Sequence, residues 1–140
     1  MMIKSVLLRL APDRAFTLFT EQITSWWPPD RRHTNDANST LHLQPTGRFF
    51  ERAGDGREVD LGRVVEWRAP ERIVLDFYIA TGPAHPTKVE VTFTPEAEGT
   101  RVTVMHAPKP ESEDLWEERA PRYARAWASV LAALERLGAT

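Results

Sequence analysis

Residues 121–138 read PRYARAWASVLAALERLG, and the spacing of their apolar side chains decides what the rest of the chain must do. Tyr123, Trp127, Val130, Leu131, Leu134 and Leu137 recur at steps of three and four, so a helix here carries one apolar stripe. Proline is accepted in a first helical turn and glycine favours the position just past a helix end, so Pro121 opens this helix and Gly138 closes it. Just upstream, Ser112 can cap a shorter helix bearing Leu115 and Trp116, with Glu113 and Asp114 in its first turn. A one-sided helix draws most of its stability from whatever covers its stripe. The residues before it supply that cover.

Working back from the helix, Val102 and Val104 share one face of residues 101–106, and by alternation His106 shares it too. Val89, Val91 and Phe93 alternate with Lys88, Glu90, Thr92 and Thr94, the pattern of a half-buried strand. Glu96-Ala97-Glu98-Gly99 turns one strand into the other. Ile73, Leu75, Phe77 and Ile79 alternate between a turn at residues 68–71 and a Gly/Pro loop at 81–86. Val59, Leu61, Val65 and Trp67 form a further alternating strand, interrupted by Gly62, which predicts a bulge or bend. Ala53-Gly54-Asp55-Gly56 is a hairpin signal, and residues 40–44 and 47–52 are shorter strands. Residues 30–39 are polar and aperiodic, hence a loop. Residues 3–10 read as a first strand with Val6, Leu8 and Leu10 on one face. Phe16, Phe19, Ile23 and Trp26/Trp27 place a helix over residues 12–27, with Thr24-Ser25 a point where it could divide and Pro28-Pro29 its end. Consecutive strands joined by tight turns make an antiparallel meander, and helices at both ends place the fold in the α+β class. No repeat or linker divides residues 1–140, so one domain is expected.

The composition narrows the chemistry. With 41% hydrophobic and 27% charged residues in 140, the chain can bury a core. A formal net charge of −2 gives no electrostatic case for nucleic acid or an anionic membrane. The absence of cysteine removes disulfides, thiolate catalysis and sulfur-ligated metals, and accords with a reducing cytoplasm. Lys4 and Arg9 interrupt the apolar N-terminus, so neither a signal peptide nor a membrane span is expected. His33, His42, His85 and His106 show no metal-ligand spacing, no serine sits in a Gly-x-Ser-x-Gly elbow, and no glycine-rich phosphate loop occurs. No cofactor and no catalytic residue is therefore assigned.

Several motifs, in order, resemble one family. Ala15-Phe16-Thr17-Leu18-Phe19-Thr20 followed by Trp26-Trp27-Pro28 is similar to the opening of the activator-of-heat-shock-protein-ATPase homologue family, within the START-like, birch-pollen-allergen-like superfamily. Gly47-Arg48-Phe49-Phe50-Glu51-Arg52, Asp55-Gly56, Gly62-Arg63-Val64 and Pro70-Glu71-Arg72-Ile73-Val74-Leu75 extend the resemblance. Val102-Thr103-Val104, His106 and Trp127-Ala128-Ser129-Val130-Leu131 complete it over essentially the whole chain. The resemblance implies a helix-grip fold: a curved antiparallel sheet of six to seven strands wraps the C-terminal helix and leaves an internal cavity. Superfamily members hold lipids, polyketides or hormones there, some are cyclases, and the namesake activators stimulate a chaperone ATPase by direct contact. Those activators carry an additional N-terminal domain, which is not expected within residues 1–140 and sets this chain apart from them.

In such a fold Trp26, Trp27, Phe49, Trp67, Phe77 and Trp127 are candidates to line or gate the cavity, although each could equally fill the core. Strand phase turns Glu51 inward with Phe49, making it a candidate polar anchor; His106 is a second. Within hydrogen-bond distance of one another these two could serve as an acid–base pair. The leading expectation is a binder of a small apolar molecule. A chaperone-partner module and a cyclase- or isomerase-type enzyme are the alternatives, and the sequence leaves monomer and homodimer open.

Overall fold

The structure, a computed structural model, describes residues 1–45 and 47–138. Its strands are β1 (Met2–Leu8), β2 (Thr40–Leu43), β3 (Arg48–Arg52), β4 (Glu58–Arg68), β5 (Arg72–Phe77), β6 (Thr87–Glu96) and β7 (Gly99–Pro108). There are two α-helices, α1 (Pro12–Thr20) and α2 (Glu113–Gly138); 3-10 turns at Ile23–Ser25 and Pro29–Arg31 follow α1, and one at Pro110–Ser112 leads into α2. The strands make one antiparallel sheet in the order β1-β7-β6-β5-β4-β3-β2. The meander runs unbroken from β2 to β7, and β1 extends it by pairing with β7, Val6 opposite Val102. Curled into a half-barrel, the sheet holds α2 along its hollow: a helix-grip fold of the α+β class.

Period-two alternation accounts for the inner face. Val89, Val91 and Phe93 of β6 and Val102, Val104 and His106 of β7 are all buried, with Val91 opposite Val104 and Val89 opposite His106. Tyr123, Trp127, Val130, Leu131 and Leu134 of α2 join the same core, as the three-and-four spacing requires. The two chain ends meet where the Arg9 N–H donates to the Gly138 carbonyl at 2.9 Å, so β1 and the end of α2 are tied directly.

Four local expectations change, each for a physical reason. The first helix stops at Thr20 rather than Trp27. Gln22 leaves the helical region (φ −101°, ψ 21°), and the Trp26 indole N–H reaches back to the Leu18 carbonyl at 2.8 Å, satisfying one acceptor that a helix end leaves open. Pro121 does not start a second helix; it lies inside α2. Pro121 and Glu117, whose carbonyl proline cannot serve, are both exposed, so water can take the missing donor's place. Leu137 continues the stripe numerically but is 44% exposed, because Gly138 turns inward against Leu8 instead. In β4 the expected inward Val65 is 59% exposed and Val64 is buried in its place. Two register shifts cause this, one beside Gly62 and one between Val64 and Glu66, and each reverses the strand's phase. Gly62 is required there, since a Cβ would come within 2.4 Å of the Asp76 carbonyl oxygen.

The stripe's phase is testable through two leucines. Leu134→Ala, at a fully buried position, is expected to cost about 2–5 kcal/mol in urea unfolding, and Leu137→Ala about 1 kcal/mol or less. Equal losses would contradict the observed rotation of α2.

Candidate functional site

The core around α2 contains two polar arrangements, and neither leaves a free acid or base. On the sheet side His106 is fully buried between aromatic rings, with Tyr123 at 4.1 Å, Phe77 at 5.2 Å and Trp116 at 5.3 Å between centroids. The Trp127 indole N–H donates to His106 Nδ1 at 3.0 Å. An indole can only donate, so Nδ1 is the acceptor and the proton sits on Nε2, 2.7 Å from Thr87 Oγ1. Burial, then the N-terminal ammonium, pushes the His106 pKa down to about 3. The imidazole is neutral and fixed in one tautomer, joining α2 to β6 and β7.

The second arrangement belongs to Glu51 on β3. Its carboxylate is fully buried and accepts from the His33 N–H (2.8 Å), the Thr34 N–H (2.9 Å), the Thr34 hydroxyl (2.6 Å) and the Ser39 hydroxyl (2.9 Å). Burial raises its pKa, but these donors outweigh burial and hold it below the usual carboxylate range. Arg32 completes the arrangement by donating to the Thr24 carbonyl (3.2 Å), the Trp27 carbonyl (3.0 Å) and the Ser39 carbonyl. Glu51 and Arg32 together clamp the polar loop between the Pro29–Arg31 turn and β2.

Between that loop and α2 lies a cavity of about 140 Å³. Trp27, Phe77, Ile79, Ala80, Tyr123, Ala126, Trp127 and Val130 form its apolar walls, and Arg31, His33 and Arg122 its polar boundary. Trp27 and Trp127 meet edge to face at 6.3 Å, and Phe77 lies 5.8 Å from Trp127. Tyr123 contributes only its ring, since its hydroxyl donates to the Ile79 carbonyl at 2.7 Å. Ala80 holds a left-handed backbone (φ 70°), and its carbonyl accepts from Arg119 at 3.1 Å.

Of the side chains singled out in the sequence, the structure brings Trp27, Phe77 and Trp127 together at this cavity. Phe49 stands behind them, 6.1 Å from Trp27 and 6.4 Å from Phe77. Trp26 packs on Phe19 at 5.2 Å, and half-buried Trp67 packs on Phe16 at 5.2 Å, both beside α1. Glu51 and His106 bond to different partners, the loop and the Thr87–Trp127 pair, and not to one another. Sequence reasoning missed Arg31, His33 and Arg122. The two loop residues have no periodicity to betray them, and Arg122 lies on the polar side of α2. Ala126 was legible in principle, a small side chain next to Trp127 on the inner stripe.

One family model, that of activator of Hsp90 ATPase homolog 1-like proteins, matches residues 9–139. The chain belongs to this family. Solved structures similar to this family member include protein MLL2253 from Mesorhizobium loti, 16% identical, with a TM-score of 0.64 over 97% of this chain and 94% of that one. Protein NE0264 from Nitrosomonas europaea is 16% identical, with a TM-score of 0.66 over 97% and 92%. DynU16, a protein of the dynemicin biosynthetic locus, is 18% identical, with a TM-score of 0.61 over 96% of this chain and 45% of its own. Likeness at these identities is one of fold. Among curated proteins none matches the sequence. No helix among the described residues is long and apolar enough to cross a membrane.

The buried imidazole makes stability depend on pH. Its folded pKa of about 3 lies below the unfolded value of 6.5, so the unfolded chain binds the additional proton between them. The contribution is complete above pH 6.5 and is lost as pH falls through that window. His106→Gln keeps an acceptor and a donor but cannot protonate. Wild type is expected to lose about 2 kcal/mol more than His106→Gln between pH 7 and pH 5 in urea unfolding. Parallel pH profiles would contradict a neutral buried His106.

Proposed function

We propose that this protein binds a small hydrophobic molecule, about one ring in bulk, in the cavity between α2 and the clamped loop. The observation that carries the reading is an apolar space of about 140 Å³ walled by Trp27, Phe77 and Trp127 beside α2. An apolar cavity of ~150 Å³ holds one benzene, so size favours a single ring or short chain over a whole lipid or polyketide. Membership of a family within a superfamily of cavity-containing folds supports the reading, as does the place of the structural neighbour DynU16 in a biosynthetic locus. The polar groups of the core support binding rather than turnover. His106 and Glu51 are committed to Trp127, Thr87 and the loop, and neither borders the cavity.

Burying a single ring removes roughly 200 Å² of apolar surface, worth about 5 kcal/mol before the cost of association. A neutral ring is therefore expected to bind in the range of about 0.1–10 mM. Titration with toluene, followed by the indole N–H resonances of Trp27 and Trp127, should show saturable shifts. Ala126→Phe fills the cavity from α2 and should abolish them while leaving the thermal melt unchanged or raised. Unchanged toluene shifts in a folded Ala126→Phe protein would overturn the proposed site.

A further inference from the structure

The boundary of the cavity carries information about the ligand that its walls do not. Three side chains with basic groups border it, Arg31 and His33 from the loop and Arg122 from α2, and no carboxylate does. The whole chain carries a formal net charge of −2, so this concentration is local and does not reflect a general excess of base. Most arginines on the sheet surface are spoken for: Arg48, Arg52, Arg72 and Arg101 each hold a glutamate within 3.0 Å. Among the described residues neither Arg31 nor Arg122 has a carboxylate within ion-pair distance. Arg31 Nε is moreover buried with no hydrogen-bond partner. A buried donor without an acceptor is costly, and an arginine beside an apolar hollow is well suited to a planar anion.

The neighbouring charges explain why the boundary keeps its sign. Glu51 lies behind the loop, but its two oxygens are taken by His33, Thr34 and Ser39, and its charge acts on Arg32. His33 has its pKa lowered, chiefly by burial, so at neutral pH it is a neutral hydrogen-bonding group. The charge facing the opening therefore comes from Arg31 and Arg122. Arg31 ends the Pro29–Arg31 turn, just before the clamped loop, and Arg122 stands on α2.

We infer that the ligand of this site is a monocarboxylic acid with a one-ring or short-chain apolar body, its body among Trp27, Phe77 and Trp127 and its carboxylate on Arg31 and Arg122. The inference rests on the cavity reading above and adds the head group to it. Planar guanidinium groups match a carboxylate in two-point contact, and the partly buried setting of Arg31 strengthens its contact relative to water. The Arg31 backbone is held at the cavity's edge by the Trp27 indole N–H, which donates to its carbonyl at 3.2 Å, and by its own N–H, which donates to the Pro28 carbonyl at 3.0 Å.

The test compares two probes of the same shape, phenylacetate and phenylacetamide, by titration of the full chain with the Trp27 and Trp127 indole resonances as readout. Phenylacetate should bind wild type at least tenfold more tightly than the amide. In the Arg31→Gln/Arg122→Gln double variant that preference should fall below threefold, with the fold verified by its melting curve. Added salt should weaken the acid and leave the amide nearly unchanged. Equal affinity of acid and amide for wild type, with toluene still bound, would overturn the head-group assignment and leave the cavity reading standing. A preference that persists in the double variant would place the anion elsewhere and overturn it as well. Silence of toluene and both probes alike would overturn the cavity reading itself.

Discussion

The hydrogen bond from the Trp127 indole to His106 fixes how α2 sits in the sheet, and most of the core is arranged around it. Apolar packing alone would let a helix with a broad stripe slide or rotate by a few degrees in a curved sheet. One directional bond at 3.0 Å, continued through Nε2 to Thr87, selects a single register. Burial lowers the pKa of this imidazole to about 3 and so keeps it neutral. With Trp127 anchored from behind, its ring face and those of Phe77 and Trp27 are left to bound the remaining space.

That space follows from geometry. A straight helix cannot fill a half-barrel along its whole length, and near Leu131 and Leu134 the side chains do fill it, with Leu134 fully buried. Toward Tyr123 and Ala126 the helix presents one ring turned toward Ile79 and one methyl group, and a void of about 140 Å³ results. The loop that closes the void is itself polar and could not hold its place by burial. It is held by the four donors on Glu51 and by the Arg32 contacts to three carbonyls. A buried carboxylate, costly in isolation, is thereby converted into the structural anchor of the cavity's edge.

Much of this fold was legible wherever one period ran undisturbed. β5, β6, β7 and α2 alternate or repeat cleanly, so Phe77, Val89, Val104, His106 and Trp127 could be turned inward from the sequence alone. Legibility failed where a local event resets the phase. Two register shifts in β4 exchange Val64 for Val65, and the end of α1 depends on an indole eight residues beyond the Leu18 carbonyl it satisfies. The site divides in the same way. Phe77 and Trp127 belong to periodic elements, and Trp27, though beyond the end of α1, continues the three-and-four spacing of Phe16, Phe19 and Ile23, so all three were visible as candidates. Arg31 and His33 lie in an aperiodic loop whose position depends on Glu51, distant in sequence, and no pattern in the loop encodes that pairing. Glu51 itself was readable as inward from its phase with Phe49, but not the identity of what it holds.

The central claim, an unfilled apolar space between α2 and the clamped loop, is tested most directly by diffraction from crystals equilibrated with xenon under pressure. Xenon occupies dry apolar cavities of this size. The account predicts a single strong peak among Trp27, Phe77, Trp127 and Val130. An empty map at that position, with a rotated Trp27 or Tyr123 ring filling the space, would contradict it.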